Sequence, residues 1–127
     1  MVTQHLLLLS LPALVNDDHA LARWGRYLDA DVLVEIGADS WMLHIHQGKI
    51  LEVRQGPFRM PSFTFAIRID ADAFAEFLRP EPVPGRNDLM ALVRHRLLRL
   101  EGNLHPFFSH LIWFKFVFAK LREAPIT

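Results

Sequence analysis

Residues 105–121 read HPFFSHLIWFKFVFAKL, and six of the twelve residues from Phe107 to Phe118 are aromatic in a chain that is 11% aromatic. This ring surface constrains the fold more than any other feature, because burying one phenylalanine is worth about 1.5–3 kcal/mol and leaving several wet invites aggregation. Laid on a helix, Leu104, Phe107, Leu111, Phe114, Phe118 and Leu121 recur in steps of three and four and form an unbroken apolar stripe. Pro106 is tolerable in the first turn of such a helix. Phe108, Ile112, Trp113, Phe116 and Val117 then fall on other sides and require a second cover. A strand is also written here, since Ile112, Phe114, Phe116 and Phe118 alternate, but its length would be unusual and the helix is the preferred reading.

With 127 residues, 51% hydrophobic content and no cysteine, the chain fits a single domain, residues 1–127, that closes its own core without disulfides. Fourteen basic residues balance fourteen acidic ones, so no broad positive field exists to hold nucleic acid or an anionic membrane. Leu6–Val15 resembles a short signal-peptide core, but no Lys or Arg precedes it, Pro12 interrupts it and no small-x-small site follows. Lys115 and Lys120 break the C-terminal run below membrane-spanning length, and the last four residues spell no retention address. The expectation is a cytoplasmic protein with at most transient membrane contact.

Along the chain, Asn16-Asp17-Asp18 supplies a cap and acidic first turn for a short helix carrying Leu21, Trp24 and Leu28, weakened by Gly25. VLVEI, WMLHIH and ILEVRQ alternate around Gly37-Ala38-Asp39-Ser40 and Gln47-Gly48-Lys49, predicting a three-stranded meander with Trp41, Leu43 and Ile45 on one face and Met42, His44 and His46 on the other. FTFAIRI predicts a fourth strand with Phe63, Phe65, Ile67 and Ile69 on one face. Asp70 and Asp72 open a helix bearing Phe74, Phe77 and Leu78, which must stop before Pro80. PEPVPG is a loop, Asn87-Asp88 caps a helix bearing Leu89, Leu92 and Val93, and RLLRLE is a fifth strand closed by Gly102.

Catalytic motifs are scarce. His44-x-His46 puts two imidazoles on one strand face, a spacing that metal sites use, but no acidic third ligand lies at a predictable distance, so a surface pair is expected and no metal. Ser109 between His105 and His110 lacks both a nucleophile elbow and an orienting carboxylate. The six glycines are scattered singly, so no phosphate loop is written, and Asp17-Asp18 and Asp70/Asp72 are explained as helix starts. Lys115, Lys120 and Arg122 predict only weak attraction to lipid head groups.

The order of these pieces resembles the sterol carrier protein 2 family of lipid-binding domains. Ile50–Gly56 (ILEVRQG), Phe63–Leu78 (FTFAIRIDADAFAEFL) and Leu89–Leu121 with its RLLRLEG carry the resemblance. It covers residues 30–122, leaving 1–29 as an N-terminal helical segment. Pro80, His95-Arg96 and Gly102-Asn103 depart from the family, where glycine is common at the first two places and Gly-Asp at the third. The resemblance implies a layered α/β (α+β) domain in which helices cover a mainly antiparallel, twisted five-stranded sheet, with an apolar tunnel beneath the C-terminal helix. It further implies non-enzymatic binding, transfer or presentation of a lipid, fatty acyl or sterol-like molecule, without cofactor or metal. The expected pocket residues are Trp41, Leu43, Ile45, Phe63, Phe65, Ile67, Leu98, Leu100, Phe107, Leu111, Phe114 and Phe118. Two alternatives stand beside it. One is an accessory subunit docking an enzyme of lipid, quinone or polyketide metabolism, or a homodimer built on the surplus rings. The other is a small-molecule enzyme using His44, His46 or Arg68 in an apolar pocket.

Overall fold

The computed structural model describes residues 8–79, 84–85 and 87–123. The elements are α1 (Leu11–Val15), α2 (His19–Trp24), β1 (Asp29–Ile36), β2 (Asp39–His46), β3 (Lys49–Gln55), β4 (Phe65–Ile69), α3 (Ala71–Phe77), α4 (Leu89–Arg94), β5 (Leu98–Gly102), α5 (His105–Ser109) and α6 (Leu111–Lys120), followed by a 3-10 turn over Leu121–Glu123. The strands form one sheet in the order β3-β2-β1-β4-β5. Every neighbouring pair is antiparallel except β1 and β4, which run parallel. Parallel neighbours need a crossover, and the chain supplies it by running through β2, β3 and the 56–64 connection before β4.

The meander forms where the alternation predicts it. The β2–β3 hairpin closes on Gln47 and Gly48, both at positive φ (51° and 76°), the backbone that a two-residue hairpin loop matched to strand twist requires. A bulge in β3 puts Leu51 outside the regular pairing, since His44 faces Glu52 while Ile45 faces Ile50. Leu51 and Glu52 are therefore both exposed while Ile50 stays in the core.

Helices cover one face of the sheet. Val32, Val34, Ile36, Trp41, Leu43, Ile45, Phe65 and Ile67 meet the helical layer there in one core cluster. The other face carries a small second cluster of Leu33, Met42 and Ala66, capped by Phe58 and Phe63. Phe63 thus lies away from the Phe65–Ile67 face to which alternation assigns it. The strand begins two residues later than expected because Thr64 bends: its N–H donates to Asp31 O (2.8 Å) and its Oγ1 accepts from Asp31 N (3.1 Å).

Two further expectations are revised at the N-terminal side. Asp18, not Asn16, caps α2, its carboxylate accepting from Leu21 N. Asn16 instead ends α1 and acts as an extra strand residue, its Nδ2 donating to Ile50 O (3.0 Å) and its Oδ1 accepting from Ile50 N (2.9 Å). Asn16→Ala removes both bonds from a half-buried edge, and a loss of about 1–3 kcal/mol is expected in urea unfolding. The helix α1 itself arises from the apolar run read as signal-like, with Pro12 in its first turn, where its missing N–H costs nothing. The first residues of that run, the start of the PEPVPG loop and the last four residues lie outside the described residues.

Candidate functional site

The C-terminal aromatics form the helices α5 and α6, and not a strand. The helix breaks at His110 (φ −122°, ψ 34°), yet the stripe continues across the break, with Phe107, Phe114, Phe118 and Leu121 all buried. Trp113, Phe114, Val117 and Phe118 point inward and are fully buried, while Leu111 is only half-buried. Trp113 and Val117, expected to need outside cover, are hidden by the protein itself.

Of the twelve expected pocket residues, Trp41, Leu43, Ile45, Phe65, Ile67, Leu98, Phe107, Phe114 and Phe118 sit in the main core, and Leu100 and Leu111 pack against it. Phe63 joins the opposite face. Where a tunnel is expected, rings meet rings. Phe65 touches Phe107 and Phe114 edge to face, with centroids at 5.7 and 5.5 Å, and Phe107 lies 5.3 Å from Phe114. Each such pair adds about 0.5–1.5 kcal/mol beyond its burial. Among the described residues none of polar or charged type is buried, so this interior offers few polar groups to discriminate one oily occupant from another.

Trp113 belongs to the same layer, though residue spacing did not assign it there. Its Nε1 is buried and has no hydrogen-bond partner among the described residues. The indole lies over Gly25, where a Cβ would come within 2.6 Å of Nε1 and 2.7 Å of the Gly48 Cα. The glycine that weakened the α2 prediction is therefore the point at which α2, the β2–β3 turn and α6 close on one another.

Polar tethers hold α6 and the following turn on both sides. Lys120 Nζ pairs with Asp18 Oδ2 (3.0 Å) and Lys115 Nζ with Asp88 Oδ2 (3.3 Å). Arg122 Nε donates to Phe77 O (2.6 Å) and its NH2 to Asn87 O (2.9 Å), with the guanidinium 4.2 Å above the Phe77 ring. Burial lowers the Arg122 pKa from its ordinary value, with the Asp88 charge opposing. The Asp18 carboxyl is held below its ordinary 3.8 by the Leu21 N–H first and Lys120 second. A depressed carboxylate contributes stability above the unfolded value and loses it as pH falls, so the Asp18 tether is present near neutrality and fades below about pH 4. Arg122→Ala removes two bonds to backbone carbonyls and a cation–π contact. A loss of about 1–3 kcal/mol is expected in denaturant unfolding, with faster amide exchange in residues 111–120 than in β1.

The outer side of α6 carries what the core does not absorb. Phe108, Ile112 and Phe116 follow one another at four-residue spacing and are 50%, 57% and 52% exposed. Trp24, expected on the buried stripe of α2, is half-exposed and packs on Phe116 with centroids 5.2 Å apart. Open clefts flank Phe116: one of about 380 Å³ between Trp24, Leu21, Ala119 and Lys120, the other of about 220 Å³ between Phe77, Asn87, Lys115 and Arg122.

The candidate polar groups lie elsewhere. Arg68 sits on the outer sheet face, bonded to Glu35 and to Glu101 (3.1 Å), and its pKa is raised chiefly by the Glu35 bond. His44 and His46 are on that same outer face, paired with Asp31 and Asp29. None of the three reaches the apolar interior that the enzyme alternative requires. Ser109 Oγ donates to His105 O (2.6 Å) and lies 3.2 Å from His105 Nε2, and neither His105 nor His110 meets a carboxylate among the described residues. No described helix is long and apolar enough to cross a membrane.

No protein-family model and no curated protein sequence matches the chain. Solved structures do. A crystal structure of sterol carrier protein 2 superposes with a TM-score of 0.77 at 13% identity, over 94% of this chain and 96% of that one. The solution structure of a Thermus thermophilus protein described as possibly a sterol carrier protein gives 0.72 at 14% identity, over 98% and 92%. A UbiJ-SCP2 ubiquinone synthesis protein gives 0.55 at 17% identity, over 96% and 93%. With an open sheet of this order, one parallel pair and helices on one face, the chain has the sterol carrier protein 2 fold.

Proposed function

We propose that this protein is a non-enzymatic carrier or presenter of a hydrophobic small molecule, a lipid, fatty acyl or sterol-like compound, taken up between the sheet and the C-terminal helices. The observation that carries this reading is the aromatic layer of Phe65, Phe107, Phe114 and Phe118, an interior of rings with no polar residue buried among them. Such a layer can part around an apolar guest, exchanging ring contacts for ligand contacts at little net cost. In this reading α6 is the wall that moves, pivoting at the break at His110 and releasing its tethers to Asp18 and Asp88, with the clefts beside Phe116 as entrances. The likeness to structures described as sterol carrier proteins supports the reading. It needs no cofactor, and the cytoplasm is its expected setting.

Binding of a fluorescent fatty acid to the full chain tests this. Saturable uptake, displaced by unlabelled fatty acid and weakened by Phe114→Asp, is expected. Since Phe114→Asp places a carboxylate in the core, Leu111→Asp at the half-buried margin serves as the second variant. Failure of the parent protein to take up any probe overturns the reading.

The exposed row Phe108, Ile112 and Phe116 favours a second function, an accessory subunit that docks an enzyme through the outer face of α6, and the UbiJ-SCP2 likeness supports it. That reading expects a stable complex abolished by Ile112→Glu, with no lipid bound.

A further inference from the structure

The outer face of the β1–β2 hairpin brings together four side chains that the apolar interior does not use. Antiparallel register sets Asp31 opposite His44 and Asp29 opposite His46. His44 Nδ1 lies 2.7 Å from Asp31 Oδ1, and His46 Nδ1 lies 2.5 Å from Asp29 Oδ1. A carboxylate only accepts, so each Nδ1 carries a proton and donates it, and the Nε2 atom of the neutral ring is the one left to bind a metal. This is the arrangement by which an outer carboxylate fixes the tautomer of a metal-binding imidazole and raises its basicity. The carboxylates that no sequence spacing supplies come from across the hairpin.

We propose that His44 and His46 together bind a late divalent transition-metal ion through their Nε2 atoms, with Asp31 and Asp29 orienting the rings. Residues i and i+2 of a strand share a face about 7 Å apart, and half-exposed imidazoles can tilt to bring their tips to roughly 3–4 Å, the separation two metal–nitrogen bonds need. No group of three or more His, Asp or Glu side chains that could hold a metal ion occurs among the described residues. The remaining positions therefore go to water or a small exogenous ligand. An open cleft of about 270 Å³ lined by Asp29, Asp31, His44, His46 and Thr64 has room for them. Imidazole nitrogen with open positions favours copper(II) over nickel(II) and zinc(II).

Titration calorimetry of the full chain with Cu²⁺, joined to electron paramagnetic resonance, tests the site. One ion per chain is expected, with nitrogen couplings from two imidazoles. His44→Ala and His46→Ala should each weaken binding at least ten-fold, and Asp31→Asn or Asp29→Asn about ten-fold, while exposed His95→Ala changes nothing. All four site residues are exposed, and circular dichroism checks that the variants keep the fold. Copper affinity unchanged in either histidine variant, or no tighter in the parent than in the double histidine variant, overturns the proposal. Affinity unchanged in both aspartate variants overturns the orienting role.

Discussion

Gly25→Ala is expected to destabilise the protein by about 3 kcal/mol and to lower its melting temperature by roughly 10 °C. At an ordinary helix end the same change would be neutral or stabilising, because alanine restricts the unfolded chain more than glycine does. Here the added methyl would sit 2.7 Å from the Gly48 Cα, which is backbone, and 2.6 Å from the Trp113 indole, which is held by the core. Neither neighbour can yield cheaply. The hairpin turn at Gln47–Gly48 is anchored by Gly48 N donating to Leu28 O (3.3 Å), and Trp113 packs edge to face on Phe114 (4.9 Å). Thermal and urea unfolding read the effect. An unchanged or raised melting temperature would mean that α2 and α6 do not close on that turn as described.

Phe114→Ala carries the second large effect. The ring is fully buried and touches Phe65, Phe107 and Trp113, so its removal should cost about 3–5 kcal/mol through lost transfer energy and the cavity left behind. That cavity lies where the proposed guest would sit. A ligand that binds only the folded state stabilises it by RT ln(1 + [L]/Kd), so a long-chain fatty acid should return more stability to Phe114→Ala than it adds to the parent. Melting with and without fatty acid measures the difference. An equal rise in both proteins would place the guest elsewhere, and a rise in neither would contradict a guest altogether.

Much of the fold was legible because it rests on periodicity and turns. The meander followed from alternation in VLVEI and WMLHIH around turns whose residues suit positive φ, and β5 and α3 came out within a residue or two of their ends. The departures have local causes. Phe63 turned over because Thr64 bonds Asp31 instead of continuing a strand. Trp24 stayed half-exposed because α2 ends there, so the turn at Gly25, not helical spacing, carries Leu28 into the core. Trp113 and Val117 went inside because the buried face of α6 is broader than one stripe, taking them in beside Phe114, Phe118 and Leu121, and a run that is apolar on every side does not show how wide its buried face is. The parallel β1–β4 pairing leaves no trace in local pattern at all.

The candidate site was legible in composition more than in geometry. Eleven of the twelve expected residues do share the helical side of the sheet, since residues on the apolar face of a strand and the stripe of a covering helix must meet. Which of their rings meet depends on ring orientation, which spacing cannot specify. The surplus of rings was real but smaller than counted: three of the five leftover side chains, Phe108, Ile112 and Phe116, remain in solvent. The pairings of Asp29 and Asp31 with the histidines were missed because they depend on hairpin register, although the two-residue Gln47–Gly48 turn would have given that register for β2 with β3 only.

Native mass spectrometry of the freshly purified full chain tests most directly whether a guest enters beneath the C-terminal helices. A fraction of molecules should carry the added mass of a lipid-like compound, and incubation with excess fatty acid should replace it with the mass of that acid. A spectrum of bare chains before and after incubation would contradict the carrier reading, whatever the number of subunits it shows.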